Sequence, residues 1–191
     1  GLYLSIVLRP QASVSQMSSL SLLVGLGLLN GLRKLGVQDA SLKWPNDVVT
    51  PQGKLCGILL ELFAQMDRVD AVIAGIGINV NQEFFPRELP NPVSLRQITG
   101  LEQDREYILD LFMREFFLLY REFQRGEKEV IEDEYMLDLY RVNDYYWFED
   151  GEGMFQAKIE DVLPSGHLIL RTLENDEMRK YAFKEVAFLN R

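Results

Sequence analysis

A lysine beside a rigid turn is the first feature of this sequence that could do chemistry. The segment Lys43-Trp44-Pro45-Asn46-Asp47 follows a short aliphatic run. Proline keeps the residue before it extended and ends the strand, so Asn46 and Asp47 are expected at the strand's carboxyl end. Burying a lysine on the inward face of an apolar sheet is costly unless an anion meets it. The segment therefore predicts either an anion site at Lys43 or an edge strand whose lysine lies in solvent.

Two glycines and an asparagine share one face of a later strand. Side chains alternate in an extended strand, so Gly75, Gly77 and Asn79 fall on the same face between residues 71 and 80. The opposite face is uniformly apolar and is expected to pack against helices. Glycine inside a strand often marks a place where a ligand or another backbone comes close. The face predicts either a floor for a ligand or tight packing of the strand on a helix.

The strand predicted over residues 54–63 also contains a glycine, Gly57. Simple alternation places Gly57 and Glu61 on one face, and Lys54 and Cys56 on the other. Cys56 is interpreted as a small core residue, because no basic neighbour in the sequence favours a thiolate. Gly57 is then a third candidate for a surface without side chains.

Composition and charge argue against several classes of function. The 191 residues carry a formal net charge of −9, which opposes binding to nucleic acid. A single cysteine and a single histidine cannot build a Cys/His metal site or an internal disulfide, which favours a reducing cytoplasm. The longest apolar stretch, residues 20–35, is broken by glycines and charged residues and falls short of a membrane span. A cytoplasmic protein without a nucleic-acid or membrane partner is expected.

The pattern along the chain predicts an α/β (α+β) protein with a mixed β-sheet flanked by helices. Strands are expected over residues 2–8, 40–44, 48–49, 54–63 and 69–80, and helices over residues 15–35, 104–123 and 127–140. Residues 81–100 carry three prolines without a clear period and are expected to form a long loop. Short strands between turns after residue 143 predict a small β-barrel. The expected domains are residues 1–142 and residues 143–191.

Taken together, these segments resemble the biotin protein ligase family. The string LKWPNDVVTPQGKLCGILLEL is similar to the family's KWPND segment and the strand that follows it, and VIAGIGINVN is similar to its G-x-G-x-N strand. GLYLSIVLRP and the PVSL string at residues 92–95 also match. The resemblance spans nearly the whole chain. It implies a class II synthetase-like catalytic fold followed by a small SH3-like barrel.

The resemblance also implies an activity and a set of site residues. It implies a ligase that uses ATP and Mg²⁺ to attach biotin to a lysine of a biotin carboxyl carrier protein. Lys43 would be the catalytic cation that meets the biotin carboxylate and the phosphate of biotinyl-AMP, above a floor of Gly57, Gly75 and Gly77. The nucleotide end of the pocket is assigned to four further residues, namely Asn46, Asp47, Lys54 and Asn79. A homodimer paired through exposed sheet edges is compatible with the resemblance.

Two departures from the family pattern define the alternatives. The family's GRGR-x-G loop, whose arginines hold phosphates, precedes the LYLS strand and is absent from these 191 residues, which leaves the activity of this chain by itself open. Some members end in a serine-leucine-arginine string where this chain has Ala187-Phe188-Leu189. The alternatives are a biotin or biotinyl-AMP binding module that has lost catalysis, and a ligase of the related lipoate-attaching class.

Overall fold

The computed structural model describes residues 1–10, 17–66, 68–163 and 165–189, which form helices and two five-stranded sheets. The first sheet contains β1 (Leu2–Leu8), β2 (Ser41–Lys43), β3 (Asp47–Thr50), β4 (Gly53–Gln65) and β5 (Arg68–Ile78). The helices are α1 (Met17–Lys34), α2 (Leu95–Thr99), α3 (Arg105–Arg125) and α4 (Lys128–Leu137). The second sheet contains β6 (Tyr146–Asp150), β7 (Gly153–Val162), β8 (Leu168–Thr172), β9 (Met178–Tyr181) and β10 (Ala187–Phe188). The α/β (α+β) class is confirmed, and residues 15 and 16 of the predicted first helix lie outside the described ranges.

The named strands of the first sheet all pair antiparallel, in the order β1-β5-β4-β3-β2. Short connections join β2 to β3, β3 to β4 and β4 to β5, and strands joined by tight turns run in opposite directions. Parallel pairing, which the predicted mixed sheet requires, is confined within the described ranges to two isolated bridges, Leu42–Leu139 and Lys54–Pro92. Hairpin connections therefore set the direction of every strand from β2 to β5.

One face of the first sheet is buried and the other is open. α1 contacts β2, β3 and β4, and the alternate residues of β5 on this side are buried: Val72, Ala74, Ile76 and Ile78. On the other face Tyr3, Val7 and Leu59 are 60–76% exposed. The alternation predicted for β5 is confirmed. Although α1 is strongly apolar, neither it nor another helix of the described ranges is long and apolar enough to cross a bilayer.

A short helix interrupts the segment predicted to be a long loop, so that prediction is wrong over Leu95–Thr99. The Ser94 hydroxyl accepts a hydrogen bond from the backbone N–H of Gln97, and the Gln97 side chain accepts one from the N–H of Ser94. This capping box satisfies donors that a helix N-terminus otherwise leaves free. The serine-x-x-glutamine spacing is the local signal that a search for apolar periodicity misses.

The loop before α2 is pinned to the start of β4. The backbone N–H of Lys54 donates to the carbonyl of Asn91 at 2.7 Å, and the N–H of Val93 donates to the carbonyl of Lys54 at 2.9 Å. Gly53 has a φ of +148°, and a Cβ placed on it would lie 2.3 Å from the Asn91 carbonyl oxygen. Where the loop passes over the start of β4, position 53 therefore admits only glycine.

The second sheet follows the order β10-β6-β7-β8-β9, with antiparallel pairs throughout. Its strands lie where the small barrel is predicted. The indole N–H of Trp44 donates to the carbonyl of Gly166 at 3.0 Å, which ties the β2–β3 turn to this sheet. Buried side chains of both sheets belong to one continuous cluster. The division into residues 1–142 and 143–191 therefore stays a prediction.

Gly53→Ala is expected to destabilise the protein by about 1–3 kcal/mol, because the new Cβ meets a backbone oxygen and the left-handed φ is strained. The matched control is Gly151→Ala, a turn position where a Cβ would have no heavy atom within 4 Å. Urea denaturation of both variants measures the difference. Equal stabilities would show that the loop is not held against β4.

Candidate functional site

A single row of residues crosses the open face of the first sheet. Lys43 lies opposite Asp47, Asp47 opposite Gly57, Gly57 opposite Gly77, and Gly77 opposite Tyr3. Residues directly opposite one another in antiparallel strands project from the same face. The row therefore runs from a cation and an anion at one margin, across two positions without side chains, to an aromatic ring at the other margin.

Within the described ranges, the glycines of this face do not pack against a helix. Among the residues that the structure describes, a Cβ on Gly75 would have only atoms of Leu59 within 4 Å, and a Cβ on Gly77 only the ring of Tyr3. A Cβ on Gly57 would meet the side chains of Lys54 and Asp47. Tight packing of the strand on a helix is therefore excluded as the reason for these glycines. The surface is bare on the side away from α1.

A β-bulge brings Lys54 onto the same face as Gly57, which corrects the alternation expected from the sequence. Val48 pairs with Cys56 and the next residue, Val49, pairs with Lys54, so Leu55 is an extra residue in β4. An extra residue reverses the face of every side chain before it. The Lys54 ammonium consequently lies 2.6 Å from a carboxylate oxygen of Asp47.

The surroundings of the Lys43 ammonium differ from those of the Lys54 ammonium. Among the described residues, none forms an ion pair or hydrogen bond with Lys43 Nζ, which instead faces the rings of Phe188 at 5.2 Å and Tyr140 at 5.9 Å. Burial lowers the pKa of Lys43; Asp47 raises it, and Arg141 and Lys54 lower it. A half-buried cation that no carboxylate neutralises is suited to receive an anionic ligand.

The alternative that Lys43 belongs to an edge strand is confirmed, but its expectation that the lysine lies in solvent is wrong. β2 is the last strand of its sheet, yet the chain that follows α4 runs along its free edge. Leu42 donates its backbone N–H to the carbonyl of Asp138 at 2.9 Å and accepts from the N–H of Tyr140 at 2.7 Å. The edge is thereby covered, and Lys43 is half-buried rather than free in solvent.

The two asparagines of the motifs bind backbone. Asn46 donates its side-chain N–H to the carbonyl of Ile58 at 2.6 Å, and its own carbonyl accepts from the N–H of Ile58. Asn79 donates to the carbonyl of Lys54 at 3.3 Å and accepts from Gln82 at 3.2 Å. Both amides brace the strands that carry the row. Their predicted contacts with a nucleotide stay predictions.

A cavity of about 470 Å³ opens beside Lys43. Its lining combines Lys43, Asp47 and Lys54 with residues to which the sequence assigned no role in the site, among them Asn91, Tyr140 and Phe188. No local pattern marks these three, because they come from distant parts of the chain. The cavity is large enough for a small ligand and carries its charges on one wall.

Cys56 lies on the buried face of β4, as the sequence predicts. It is 1% exposed, and burial raises the pKa of its thiol. The thiol therefore stays protonated at neutral pH and is not a nucleophile.

Comparison with known proteins identifies similar chains. Residues 1–79 match the family model described as the biotin/lipoate A/B protein ligase family. The chain is 31% identical over 174 residues to the biotin–acetyl-CoA-carboxylase ligase of Paracoccus denitrificans, covering 87% of this chain and 72% of the relative. It is 36% identical over 126 residues to the bifunctional ligase/repressor BirA of Bacillus subtilis, covering 64% of this chain but only 39% of that protein. The match thus spans well under half of the Bacillus relative.

Solved structures with the same fold come from Aquifex aeolicus. The biotin protein ligase of that organism in complex with biotin and ATP superposes with a TM-score of 0.78 at 26% identity, covering 100% of this chain and 78% of that one. The apo structure of the ligase gives a TM-score of 0.79 and covers 99% of this chain and 82% of that one. The likeness extends over both sheets.

Lys43 is expected to lose its proton at a lower pH than the ordinary lysine value of 10.5, because burial disfavours its charge. The unfolded chain keeps that proton longer, so folding becomes more favourable as the pH rises through this interval. Asp47→Asn should lower the pKa of Lys43 further, since Asp47 favours the charged form. Titration of the lysine Cε resonances by NMR measures both effects.

The control for this titration is Asp39→Asn, an exposed aspartate in the turn before β2. It should leave the titration of Lys43 unchanged. An ordinary lysine titration in the unmodified protein would show that the ammonium is solvated and that the rings do not bury it.

Proposed function

The chain belongs to the biotin protein ligase family, and from that premise we propose that it activates biotin with ATP and transfers it to a lysine of a carrier protein. The observation that carries the proposal is the Lys43 ammonium, unpaired among the described residues, at the margin of a bare strip of β-sheet. A ligand with a compact ring system and a carboxylate at the end of an aliphatic tail fits such a surface. Biotin has this form.

The glycine face supports the position proposed for biotin. Gly57 and Gly77 are direct partners across β4 and β5, and Gly75 lies in the next row on the same face. A flat ring system can approach backbone atoms only where no Cβ intervenes. Biotin's rings would lie on this floor, with the exposed side chains of Tyr3 and Leu59 at its sides. Its tail would then carry the carboxylate toward Lys43.

The cavity beside Lys43 supports the position proposed for ATP. Lys43, Asp47 and Lys54 line it, so two ammonium groups face the space where phosphates would lie. Asn46 and Asn79 donate hydrogen bonds to backbone carbonyls of β4, and their predicted contacts with the nucleotide are part of the proposal.

Magnesium would enter with the nucleotide. Within the described ranges no group of three or more acidic, histidine or cysteine side chains could hold a metal by itself. Magnesium is commonly bound by one or two carboxylates together with substrate phosphates, and it neutralises phosphate charge. Asp47 is the carboxylate that lines the cavity proposed for the nucleotide, and it also pairs with Lys54. The residues present fit a metal held mainly by the nucleotide.

The proposed reaction has two steps. A carboxylate oxygen of biotin attacks the α-phosphorus of ATP, the bond from that phosphorus to the pyrophosphate oxygen breaks, and pyrophosphate leaves. The neutral amine of a carrier lysine then attacks the biotinyl carbonyl carbon, the bond to the AMP oxygen breaks, and the amine loses a proton. Lys43 holds the carboxylate and stabilises the negative charge that develops on phosphate and acyl oxygens. This role requires a fixed cation rather than a base.

The partner proposed is a biotin carboxyl carrier protein. The Paracoccus relative is named for acetyl-CoA carboxylase, whose carrier segment would present the acceptor lysine. The open face of the first sheet, with Tyr3 and Leu59 exposed, leaves room for that lysine to reach the activated acyl group. A homodimer through a sheet edge and a cytoplasmic location remain part of the proposal. The net charge of −9 argues against nucleic acid as a partner of this chain.

Lys43→Ala in the full-length gene product should slow formation of biotinyl-AMP by about 10²–10³-fold, the usual cost of removing a fixed charge-stabilising group. Lys180→Ala, which removes an exposed lysine of β9, is the control and should keep the normal rate. Pyrophosphate release in the presence of biotin and ATP gives the rates. A normal rate for Lys43→Ala would refute the proposed role. Tight biotin binding without pyrophosphate release from the unmodified protein would indicate a binding module instead.

Gly75→Ala should weaken biotin binding by about 10-fold or more while leaving the fold intact, because its Cβ makes only ordinary contacts with Leu59 and projects into the proposed floor. Thermal unfolding should show equal or slightly higher stability, since alanine costs less chain entropy than glycine. Calorimetry with biotin and with lipoate reports the affinities. Unchanged biotin affinity in the variant would remove Gly75 from the site, and preference for lipoate would overturn the substrate assignment.

A further inference from the structure

We propose that Phe188 and Tyr140 are positioning residues for Lys43, and that their rings hold its ammonium at the margin of the glycine floor by cation–π attraction. The inference rests on the proposed role of Lys43 as the cation that meets the biotin carboxylate. Neither aromatic residue belongs to a motif of the first sheet. Phe188 lies in β10 of the second sheet, and Tyr140 follows α4.

The two rings form a wall on one side of the ammonium. Lys43 Nζ lies 5.2 Å from the ring centroid of Phe188 and 5.9 Å from that of Tyr140, both within the roughly 6 Å over which cation–π attraction acts. The two ring centroids are 6.4 Å apart. These rings are the contacts that the structure records for the Lys43 ammonium among the described residues.

The ring of Tyr140 is held by the edge of the first sheet. Its backbone N–H donates to the carbonyl of Leu42, the residue before Lys43, at 2.7 Å. The Arg141 guanidinium lies 4.9 Å from the centroid of the Tyr140 ring, on which it stacks, and donates to the carbonyl of Leu189 at 2.7 Å. The same arginine thus joins Tyr140 to the end of β10.

The ring of Phe188 is held by the core of the second sheet. It packs on Phe148 with centroids 5.0 Å apart, and Phe148 is fully buried. Leu189 donates its N–H to the carbonyl of Trp147 at 3.0 Å, which continues the pairing of β10 with β6. The position of Phe188 over Lys43 is therefore set by the pairing and packing of β10 against β6.

Aromatic faces can hold a cation without neutralising it. A carboxylate in their place would compete with the carboxylate of biotin for the ammonium, whereas a ring offers a weaker attraction that leaves the charge available. The charged groups facing Lys43 are Asp47 from β3, Lys54 from β4 and Arg141 after α4. Asp47 is already paired with Lys54, so the rings are the remaining means of orienting Lys43.

Phe188→Leu separates this role from simple packing, because leucine keeps an apolar side chain beside Lys43 and removes the π face. Without the attraction, burial, Arg141 and Lys54 still lower the pKa of Lys43 and only Asp47 raises it. The pKa of Lys43 in the ligand-free protein should therefore fall below its value in the unmodified protein. Biotin binding at pH 7.5 should weaken by about 3- to 10-fold, the range of a partly desolvated cation–π contact. Phe188→Tyr keeps the π face and should preserve both properties.

Phe155→Leu is the matched control. Phe155 is also a half-buried phenylalanine of the second sheet and packs on the same Phe148, with centroids 6.1 Å apart. It should leave the titration of Lys43 and the biotin affinity unchanged. Tyr140→Leu removes the second ring and should act in the same direction as Phe188→Leu, which keeps the test valid if one variant folds poorly.

NMR titration of the lysine Cε resonances in ligand-free protein and calorimetry with biotin are the two readouts. If Phe188→Leu and Tyr140→Leu match Phe155→Leu in both, or if Phe188→Tyr is as impaired as Phe188→Leu, the rings do not position Lys43. If Phe188→Leu lowers the pKa of Lys43 while Lys43→Ala binds biotin normally, the aromatic contact stands and the proposed role of Lys43 in the site fails.

Discussion

Gly57 pairs directly with Asp47 on one side and with Gly77 on the other, and the candidate site depends on this register. A slip of one residue would turn the row of Lys43, Asp47 and the glycines toward α1. The slip is opposed by the other face, where alternate apolar residues of β4 and β5 are buried, among them Ile58 and Ile76. The hydrophobic core on one face of the sheet therefore determines which residues lie on its open face.

The two lysines of the site have different partners, and this difference determines which of them can receive an anionic ligand. The bulge in β4 gives Asp47 a partner in Lys54, so the carboxylate is satisfied within the protein. Lys43 keeps its charge beside two aromatic rings, one of them from the second sheet. The second sheet thus contributes directly to the site. The carbonyl of Gly166, in the turn between β7 and β8, also accepts a hydrogen bond from the indole of Trp44, the residue after Lys43.

Features that depend on local alternation could be predicted from the sequence, and features that depend on a partner strand could not. The two faces of β5 follow from the side-chain period of two, and the glycine face was predicted correctly on that basis. The side of Lys54 was predicted wrongly, because a bulge is visible only in the register between two strands. The contacts of Phe188 and Tyr140 with Lys43 could not be predicted either, because they form between segments that are distant in the sequence. The nucleotide contacts predicted for Asn46 and Asn79 stay predictions, and the hydrogen bonds of their side chains to backbone could not be read from residue type.

A crystal structure of the protein with biotin would show whether Lys43 and the glycine face bind the ligand. We expect a biotin carboxylate oxygen within hydrogen-bonding distance of Lys43 Nζ, with the ring system over Gly57 and Gly77 on the open face of the first sheet. Biotin bound on another surface, or bound here with its carboxylate directed away from Lys43, would contradict this expectation.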